Sequence, residues 1–276
     1  MLISPSELAA RLDDVRVLDC TVFLRRPPGG GPYTPESGIG PYRRAHIPGA
    51  RFADLVDVLA DPRSPFPFTL PTPDRFAAGM SALGVGPGTH VVCYAQESPM
   101  WATRLWWLLR YFGFDNVSVL DGGFPAWRAA GLPVTSSAVP VAAGAFVASP
   151  RPELLATLPD VRDGHWSCLV NALAPAVFRG EGITSYSRPG RIPGSLNAPA
   201  GSLLDPETGR FLDLDGLRAA LGAVLDEPDP VAYCGGGISA TVVVFALALL
   251  GREDVRLYDG SLTEWSADPS LPLEVG

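Results

Sequence analysis

The stretch "VAYCGGGISATVVVFALALLG" (Val231–Gly251) joins a short apolar run, one cysteine, three consecutive glycines and a long apolar run. A short apolar run that stops at glycines is typical of a buried β-strand, and the longer run is typical of a buried helix. The sequence therefore predicts a strand that ends at Cys234, a tight loop over 234–239 and a helix that begins near Ser239. Strand–loop–helix units of this kind build parallel α/β sheets.

The chain also repeats itself. "VSVLDGGFPAWRAAGLPV" (Val117–Val134) resembles "VRLYDGSLTEWSADPSLPL" (Val255–Leu273), and its aspartate and tryptophan recur 138 positions later. "RRAHIPGARFADL" (Arg43–Leu55) resembles "RPGRIPGSLNAPA" (Arg188–Ala200) at an offset of 145. The first copy therefore holds seven extra residues, which we place in "SPFPFTLPTPDR" (Ser64–Arg75). A repeat of this length indicates a duplicated domain.

The repeat predicts an N-terminal domain over 1–135, a linker over 136–152 and a C-terminal domain over 153–276. The linker is rich in Ala, Pro, Ser and Gly and has no clear period. Within each copy, short apolar strands alternate with helices, and Ser4 and Thr72 are predicted helix N-caps. The predicted fold class is α/β, with a parallel β-sheet in each domain that is flanked by helices on both faces.

Composition narrows the function classes. The 276 residues are 47% hydrophobic and 18% charged, which is typical of a globular chain. The net charge is −8, all basic residues are arginine and no basic stripe exists, so we expect no nucleic-acid partner. A bound anion must then be held by Arg, His, backbone N–H groups or a helix N-terminus. No apolar run is long enough to span a membrane and no signal peptide is evident, so we expect a cytoplasmic protein without a membrane partner.

The chain has four cysteines, Cys20, Cys93, Cys168 and Cys234. They form no C-x-x-C pair, and the three histidines show no metal-ligand spacing, so we predict no metal site. In a reducing compartment all four are expected to be free thiols, and three of them are expected to pack as small hydrophobic side chains.

Cys234 is expected to differ from the other three cysteines, because three glycines follow it. Glycines let successive N–H groups converge on one centre, and the helix N-terminus adds about half a positive charge. Both effects stabilise a thiolate, which is the nucleophilic form of cysteine. The alternative is a buried, inert cysteine beside a tight strand-to-helix turn. We favour the reactive thiolate, because a packing cysteine does not need three glycines after it and each glycine costs folding entropy.

Taken together, the two related α/β domains, the cysteine loop in the second, the "HIPG" turn and "LYDGSLTEW" near the end resemble a tandem-domain rhodanese, a thiosulfate or 3-mercaptopyruvate sulfurtransferase. The resemblance implies that Cys234 takes a sulfane sulfur from a small anionic donor and carries it as a persulfide. A thiophilic acceptor, such as cyanide, a thiol or a thioredoxin, then removes the sulfur. No metal or organic cofactor is implied.

The resemblance also implies which residues form the site. The active-site loop is Cys234, Gly235, Gly236, Gly237, Ile238 and Ser239. The loop carries no charge, which resembles the mercaptopyruvate-preferring members, although their serine two residues after the cysteine is Gly236 here. We expect Ser239 to cap the following helix rather than to act in the chemistry. In the first copy the cysteine position is Gln96, so that domain resembles the inactive domain of the family.

The resemblance also bears on the substrate-binding residues. Asn171 stands where the family has an aspartate, and Val177 stands where it has a substrate-binding arginine. We expect Arg179 and Arg188 to bind the carboxylate or sulfonate of the donor instead, since arginine binds such groups bidentately. His46, in "AHIPGA", matches a family histidine that faces the cleft and handles a proton.

Three other functions compete with sulfur transfer. A persulfide carrier that accepts sulfur from a partner protein is the main alternative, because the family arginine is missing. A cysteine phosphatase needs an arginine six residues after the cysteine, where this chain has Ala240. Nucleotide binding fails because "CGGGIS" lacks the Gly-Lys-Ser/Thr ending of a phosphate loop.

Overall fold

The computed structural model describes residues 1–28, 31–138, 140, 142–182 and 185–276. The elements of the first half are β1 (Leu2–Ile3), α1 (Pro5–Ala9), β2 (Val15–Asp19), β3 (Val22–Arg25), β4 (Thr34–Ser37), α2 (Ile39–Arg44), β5 (Arg51–Phe52), α3 (Pro73–Ala82), β6 (His90–Tyr94), α4 (Met100–Tyr111), β7 (Val117–Leu120) and α5 (Gly123–Ala129). The predicted N-caps are confirmed: Ser4 and Thr72 accept hydrogen bonds from backbone N–H groups of the first turns of α1 and α3.

The second half repeats this succession without the β3–β4 hairpin. Its elements are β8 (Leu155–Ala156), α6 (Leu158–Arg162), β9 (Cys168–Asn171), α7 (Pro175–Phe178), β10 (Leu196–Asn197), α8 (Leu214–Leu221), β11 (Pro230–Tyr233), α9 (Ala240–Leu249), β12 (Arg256–Tyr258) and α10 (Ser261–Trp265), with short 3₁₀ segments at Pro152–Leu154, Ala200–Leu203 and Gly222–Asp226. Over the described ranges, no helix has the length and apolar character that crossing a bilayer requires.

Each half forms one five-stranded sheet, and all the pairings within both sheets are parallel. The strand orders are β5-β2-β6-β7-β1 and β10-β9-β11-β12-β8, so the two sheets have the same topology. β11 is the central strand of the second sheet, between β9 and β12. The predicted α/β class and the parallel sheets are confirmed, and the carboxyl end of β11 lies where sites form in such sheets.

Helices cover both faces of each sheet. In the first half, α1, α2 and α5 contribute to one apolar cluster, and α3 and α4 contribute to another on the opposite face. In the second half, α6 and α10 cover the outer face, and α8 and α9 cover the inner one. The inner clusters of the two halves merge into one continuous core. Strands in the middle of the sheets, such as β7 and β11, are buried along their whole length because helices cover both faces.

The two halves pack through α4 and α9. Nine of the ten residues of α9 are buried, which explains why the helix is apolar on every side. The indole of Trp106 meets the ring of Phe245 edge to face at 4.9 Å. The hydroxyls of Thr103 and Thr241, which are 138 positions apart, hydrogen-bond to each other at 2.8 Å. Equivalent residues therefore meet at a pseudo-twofold axis between the halves.

Loops from each half also reach the other half in matching contacts. The N–H of Leu70 donates to Oδ2 of Asp259 at 2.8 Å, and the N–H of Phe211 donates to Oδ1 of Asp121 at 3.0 Å. The two aspartates are the pair that the repeat identified. The aspartate after the last strand of each half, β7 or β12, therefore holds a loop of the opposite half.

The segment predicted as a linker follows the surface of the first half where the structure describes it. Gly144 and Ser149 donate backbone hydrogen bonds to carbonyls of Ser81 and Phe112, and Arg151 donates to the carbonyl of Tyr111. This part of the connection is held by fixed hydrogen bonds to α4 and to the end of α3, and it fixes where the second half begins.

Candidate active site

Cys234 lies directly after the central strand β11 and six residues before Ala240, the first residue of α9. The residue is 1% exposed. The loop turns at Gly237, whose φ of +71° lies in the left-handed region. A Cβ there would also come within 2.6 Å of the Asp259 carbonyl oxygen, so both the backbone and the space require glycine.

The beginning of α10 holds the loop from one side. The N–H of Leu262 donates to the carbonyl of Cys234 at 3.1 Å. Thr263 donates to the carbonyl of Gly235 through both its N–H, at 2.8 Å, and its hydroxyl, at 2.6 Å. A third loop carbonyl, that of Gly237, accepts from Nη1 of Arg104 at 3.1 Å.

These three anchored carbonyls decide where the loop N–H groups point. In a planar trans peptide the N–H is directed opposite to the C=O of the same unit. The N–H groups of Gly235, Gly236 and Ile238 are therefore directed away from α10 and Arg104. In the part of the chain that the structure describes, none of the three has an acceptor. The loop thus presents uncommitted donors, as an anion-binding nest does.

Ser261 binds two backbone N–H groups of the loop. Its Oγ accepts from the N–H of Cys234 at 3.0 Å and from the N–H of Gly237 at 3.1 Å, and it donates to the Tyr258 carbonyl at 2.8 Å. Ser261 has a φ of +50°, which is rare for a residue with a side chain. Such a backbone costs about 1–3 kcal/mol, and the two buried N–H groups that Ser261 satisfies offset it.

A buried ion pair ties the loop to the first half. Arg104, in α4, is 1% exposed and donates from Nη1 to Oδ1 of Asp259 at 2.6 Å. Its Nη2 donates to the Phe68 carbonyl at 2.7 Å. One guanidinium therefore joins the cysteine loop, the residue after β12 and a loop of the first half.

A cleft of about 550 Å³ opens between the two halves, with Cys234 among its lining residues. Most of the lining is apolar and comes from both halves. Apolar side chains of the lining include Phe66, Phe68, Met100, Leu173, Val177 and Ile238. Phe66 and Phe68 belong to the segment Ser64–Arg75, so the predicted insertion contributes a wall of the cleft. A volume of this size accommodates a small donor.

Tyr186 lines the cleft beside the loop. A Cβ built on Gly235 would lie 2.2 Å from its hydroxyl oxygen and 2.8 Å from the adjacent ring carbons, so ring and glycine are in close contact. Burial raises the pKa of Tyr186, and the nearby Cys234 sulfur raises it further. The phenol therefore stays protonated and can donate a hydrogen bond at neutral pH.

The other three cysteines are buried in the core, as the sequence predicts. Burial raises the pKa of Cys20, of Cys93 and, to about 11, of Cys168. The thiol of Cys20 donates to the Tyr94 carbonyl at 3.1 Å. These three groups remain protonated thiols at neutral pH, and they do not line the cleft.

The two arginines predicted to bind the donor do not line the cleft. Arg179 is exposed and pairs through Nε with Glu181 at 2.6 Å. Arg188 donates to the backbone carbonyls of Ser266, Leu271 and Asp268 at 3.0, 2.9 and 2.6 Å. The guanidinium of Arg188 thereby fastens the C-terminal segment, and neither residue is placed to meet a ligand above Cys234.

His46 is also placed away from the cleft lining. Its ring is buried in the first half, stacks on Tyr42 at 4.2 Å, and donates from Nδ1 to the Tyr42 carbonyl at 2.7 Å. The backbone of His46 pairs with Thr135. The structure gives the residue a packing role in the first half and corrects the expectation that it faces the cleft.

Two further expectations concern Ser239 and Val177. Ser239 occupies the N-cap position of α9 but makes no side-chain capping hydrogen bond, because its backbone is already helical. It lines the cleft instead, which corrects the predicted capping role. Val177 also lines the cleft, so the position where the family has an arginine does face the site.

The described part of the first half has no equivalent of the cysteine loop. At the cysteine position, Nε2 of Gln96 donates to Asp19 at 3.1 Å and to the Ala45 carbonyl at 3.2 Å. A smaller cavity of about 220 Å³ lies at the matching place, and Glu97 and Glu207 are among its lining residues. Acidic side chains disfavour an anionic ligand there.

Sequence reasoning missed several residues of the site. Arg104 carries a signal that could have found it, since it is a charge in the middle of the apolar segment "MWATRLWW". Ser261, Tyr186 and Arg26, the last from the end of β3, carry no comparable signal. Their positions depend on contacts between segments that are distant in the chain.

The contrast between two loop glycines gives a test of this geometry. Gly235→Ala places its Cβ against the Tyr186 hydroxyl, and such overpacking costs about 1–3 kcal/mol. We expect this variant to unfold at lower urea concentration and to lose most of its activity. Gly236→Ala is the matched control, because its Cβ would meet only Thr263 Oγ1 at 3.7 Å. Equal losses in both variants, measured by urea unfolding and by turnover, would contradict the placement of Tyr186.

The fold and the site define a class: a tandem α/β chain with two equivalent parallel sheets and one cysteine loop, placed at the cleft between them. Comparison with known proteins agrees. The family model of the rhodanese-like domain matches residues 4–130 and 160–268. The chain belongs to the rhodanese family, as a tandem-domain member of its thiosulfate/3-mercaptopyruvate sulfurtransferase group.

Individual relatives extend over most of the chain. The 3-mercaptopyruvate sulfurtransferase of Escherichia coli K12 is 37% identical over 241 residues, covering 84% of this chain and 84% of that protein. A probable 3-mercaptopyruvate sulfurtransferase of Pseudomonas aeruginosa is 37% identical and covers 100% of this chain and 98% of its own length. The crystal structure of SseA from Escherichia coli, reported with the rhodanese fold of 3-mercaptopyruvate sulfotransferases, has a TM-score of 0.80 at 32% identity, over 94% of this chain and 98% of that one.

Proposed function

We propose that this enzyme transfers a sulfane sulfur from 3-mercaptopyruvate or thiosulfate to a thiophilic acceptor, with a persulfide on Cys234 as the intermediate. The observation that carries the proposal is the placement of Cys234. Cys234 lines the cleft between the two halves. The loop around it presents three N–H groups that have no acceptor among the described residues. A thiolate and a persulfide are both anions that such a loop stabilises.

In the first half-reaction the Cys234 thiolate attacks the sulfur of 3-mercaptopyruvate. A sulfur–sulfur bond forms, the carbon–sulfur bond breaks, and its electron pair remains on the carbon as the enolate of pyruvate. The thiol of the donor gives up one proton and the enolate carbon takes up one proton, so the number of protons is unchanged. The products are the Cys234 persulfide anion and pyruvate. With thiosulfate the same attack releases sulfite, and no proton is moved.

In the second half-reaction the acceptor attacks the outer sulfur of the persulfide. The sulfur–sulfur bond breaks and its electron pair returns to Cys234 as the thiolate. Cyanide is converted to thiocyanate, and a thiol is converted to its persulfide. The loop N–H groups meet an anion at every stage, so they need not rearrange between the half-reactions.

Tyr186 supports the first half-reaction. Its hydroxyl stays protonated and lies against Gly235, beside the cysteine. It can donate a hydrogen bond to the negative charge that develops near the sulfur. The chain lacks a serine hydroxyl at Gly236, and Tyr186 offers a hydroxyl in the same neighbourhood.

The apolar lining favours 3-mercaptopyruvate over thiosulfate. Thiosulfate carries two negative charges, and within the described residues the cleft has a single charged side chain. Transfer from water into such a site costs more free energy for a dianion than for a monoanion. We therefore expect a higher kcat/KM with 3-mercaptopyruvate, measured side by side with thiosulfate and with cyanide as the acceptor.

Mass spectrometry of the intact protein tests the proposal. Incubation with 3-mercaptopyruvate without acceptor should add the mass of one sulfur atom at Cys234, and cyanide should remove it with formation of thiocyanate. A protein that gains no sulfur from either small donor, but does so from a persulfidated partner protein, would instead be a persulfide carrier. The missing arginine at Val177 is the observation that favours this second function. The cytoplasmic location and the identity of the acceptor stay predictions.

A further inference from the structure

The lining of the cleft contains one cationic side chain among the described residues, Arg26. It follows β3 in the hairpin that the second half lacks. The chain has a net charge of −8, so the wider field of the protein repels an anion. A local cation is therefore needed if an anionic donor is to reach Cys234.

The other candidates for this role are engaged elsewhere. Arg179 pairs with Glu181, and Arg188 donates to four backbone carbonyls. Arg104 is buried and pairs with Asp259. The position Val177 faces the cleft but offers no charge. Arg26 is left as the cation in contact with the space above the cysteine loop.

The guanidinium of Arg26 is held in place by aromatic contacts. Its Nη2 donates to the Tyr33 hydroxyl at 2.5 Å, and its Cζ lies 5.1 Å from the centre of the Tyr33 ring. Tyr33 lines the cleft as well. The side chain of Arg26 is exposed, and a guanidinium has five N–H donors, so one bond to Tyr33 leaves donors for a carboxylate.

Arg26, Tyr186 and Cys234 line the same cleft. Tyr186 lies against Gly235 of the cysteine loop. Burial and the Cys234 sulfur raise the pKa of its phenol, and the charge of Arg26 lowers it, so the guanidinium acts in the same part of the cleft. A small keto acid has its thiol at one end and its carboxylate at the other, which matches a cleft that contains both a nucleophile and a cation.

We propose that Arg26, held by Tyr33, binds the carboxylate of the sulfur donor and determines specificity for an anionic keto acid. This assignment rests on the proposed function for the identity of the donor. The cation comes from the first half, whereas the nucleophile comes from the second. The domain without a cysteine thus supplies the residue that orients the substrate.

Two donors that differ only in the carboxylate test the assignment. In mercaptoacetone a methyl group replaces the carboxylate of 3-mercaptopyruvate, and the ketone that stabilises the enolate remains. Losing a hydrogen bond to a charged group costs about 10- to 100-fold in affinity. We expect Arg26→Ala to lower kcat/KM for 3-mercaptopyruvate by about that factor, mainly through KM, and to change kcat/KM for mercaptoacetone less than about twofold.

Arg25→Ala is the matched control, because the neighbouring Arg25 pairs with Glu36 at 2.6 Å and does not line the cleft. It should leave both rates unchanged, and Arg26→Lys should restore part of the loss with 3-mercaptopyruvate. An equal fall with both donors in Arg26→Ala, or no fall with 3-mercaptopyruvate, would overturn the assignment.

A binding measurement separates this assignment from the proposed function. Pyruvate should protect Cys234 from iodoacetamide in the wild-type protein, acetone should not, and Arg26→Ala should remove the protection by pyruvate. A wild-type protein that turns over neither donor, yet is protected by pyruvate only when Arg26 is present, would refute the sulfur-transfer proposal and retain the anion site. Equal protection of wild type and Arg26→Ala would refute the anion site.

Discussion

Replacing Cys234 with serine is expected to lower cyanide-dependent thiocyanate formation more than about 1,000-fold, to the background rate. A serine hydroxyl is not ionised at neutral pH, and its oxygen cannot carry a sulfane sulfur as a persulfide does. The substitution changes one buried atom and leaves the N–H of residue 234 free to donate to Ser261. The midpoint of urea unfolding should therefore stay close to that of the wild-type protein. The intact mass after incubation with 3-mercaptopyruvate should show no added sulfur.

Cys168→Ser is the control for this experiment. Cys168 is in the same half and is buried, but it lies at the start of β9 and does not line the cleft. It should retain most of the activity, as should Cys20→Ser and Cys93→Ser, even where a hydroxyl in the core lowers stability. Comparable losses of turnover in all four variants would show that Cys234 has no special role.

Replacing Asp259 with asparagine is expected to have the largest effect on stability. The substitution removes the charge that pairs with Arg104, a guanidinium that is 1% exposed. Leaving a buried charge without its partner costs about 3–5 kcal/mol. Because Arg104 also donates to the Gly237 carbonyl, the cysteine loop should shift, and a misplacement of this kind costs up to about 100-fold in rate. Urea unfolding and kcat/KM measure the two effects.

Glu253→Gln is the matched control for Asp259→Asn. Glu253 also accepts from an arginine of α4 across the interface, at 2.6 Å from Nη2 of Arg110. Its side chain is 58% exposed, against 10% for Asp259. An exposed pair contributes less than about 1 kcal/mol, so this variant should resemble the wild-type protein. If the two variants were equally stable, the buried ion pair of Arg104 and Asp259 would not stabilise the fold as expected.

Much of the fold could be predicted because its signals are local. The strands β9 and β11 are short apolar runs, and Gly237 marks the turn between β11 and α9. The repeat then implied that both halves share one topology, and the two strand orders agree. The family resemblance, which rests on motifs along the whole chain, is confirmed by the match over both halves.

The binding residues could not be predicted in the same way. Their positions relative to the family motifs predict Arg179, Arg188 and His46 as binding residues. In the structure Arg179 pairs with Glu181, and Arg188 fastens the C-terminal segment. The ring of His46 packs on Tyr42. Sequence spacing fixes where a backbone passes, but the end of an arginine side chain goes to whichever acceptor the packing brings within reach.

By itself, the sequence determined the duplicated α/β halves, the central strand, the glycine loop and the cysteine at its start. Apolar periodicity and glycine conformation act over a few residues, so these features can be read without the fold. Only the tertiary structure decided that Arg104 anchors the loop, that Ser261 binds two of its N–H groups, and that Arg26 is a cation lining the cleft. Each of these residues meets its partners through contacts between distant segments, and such contacts exist only after the chain has folded and its two halves have packed together.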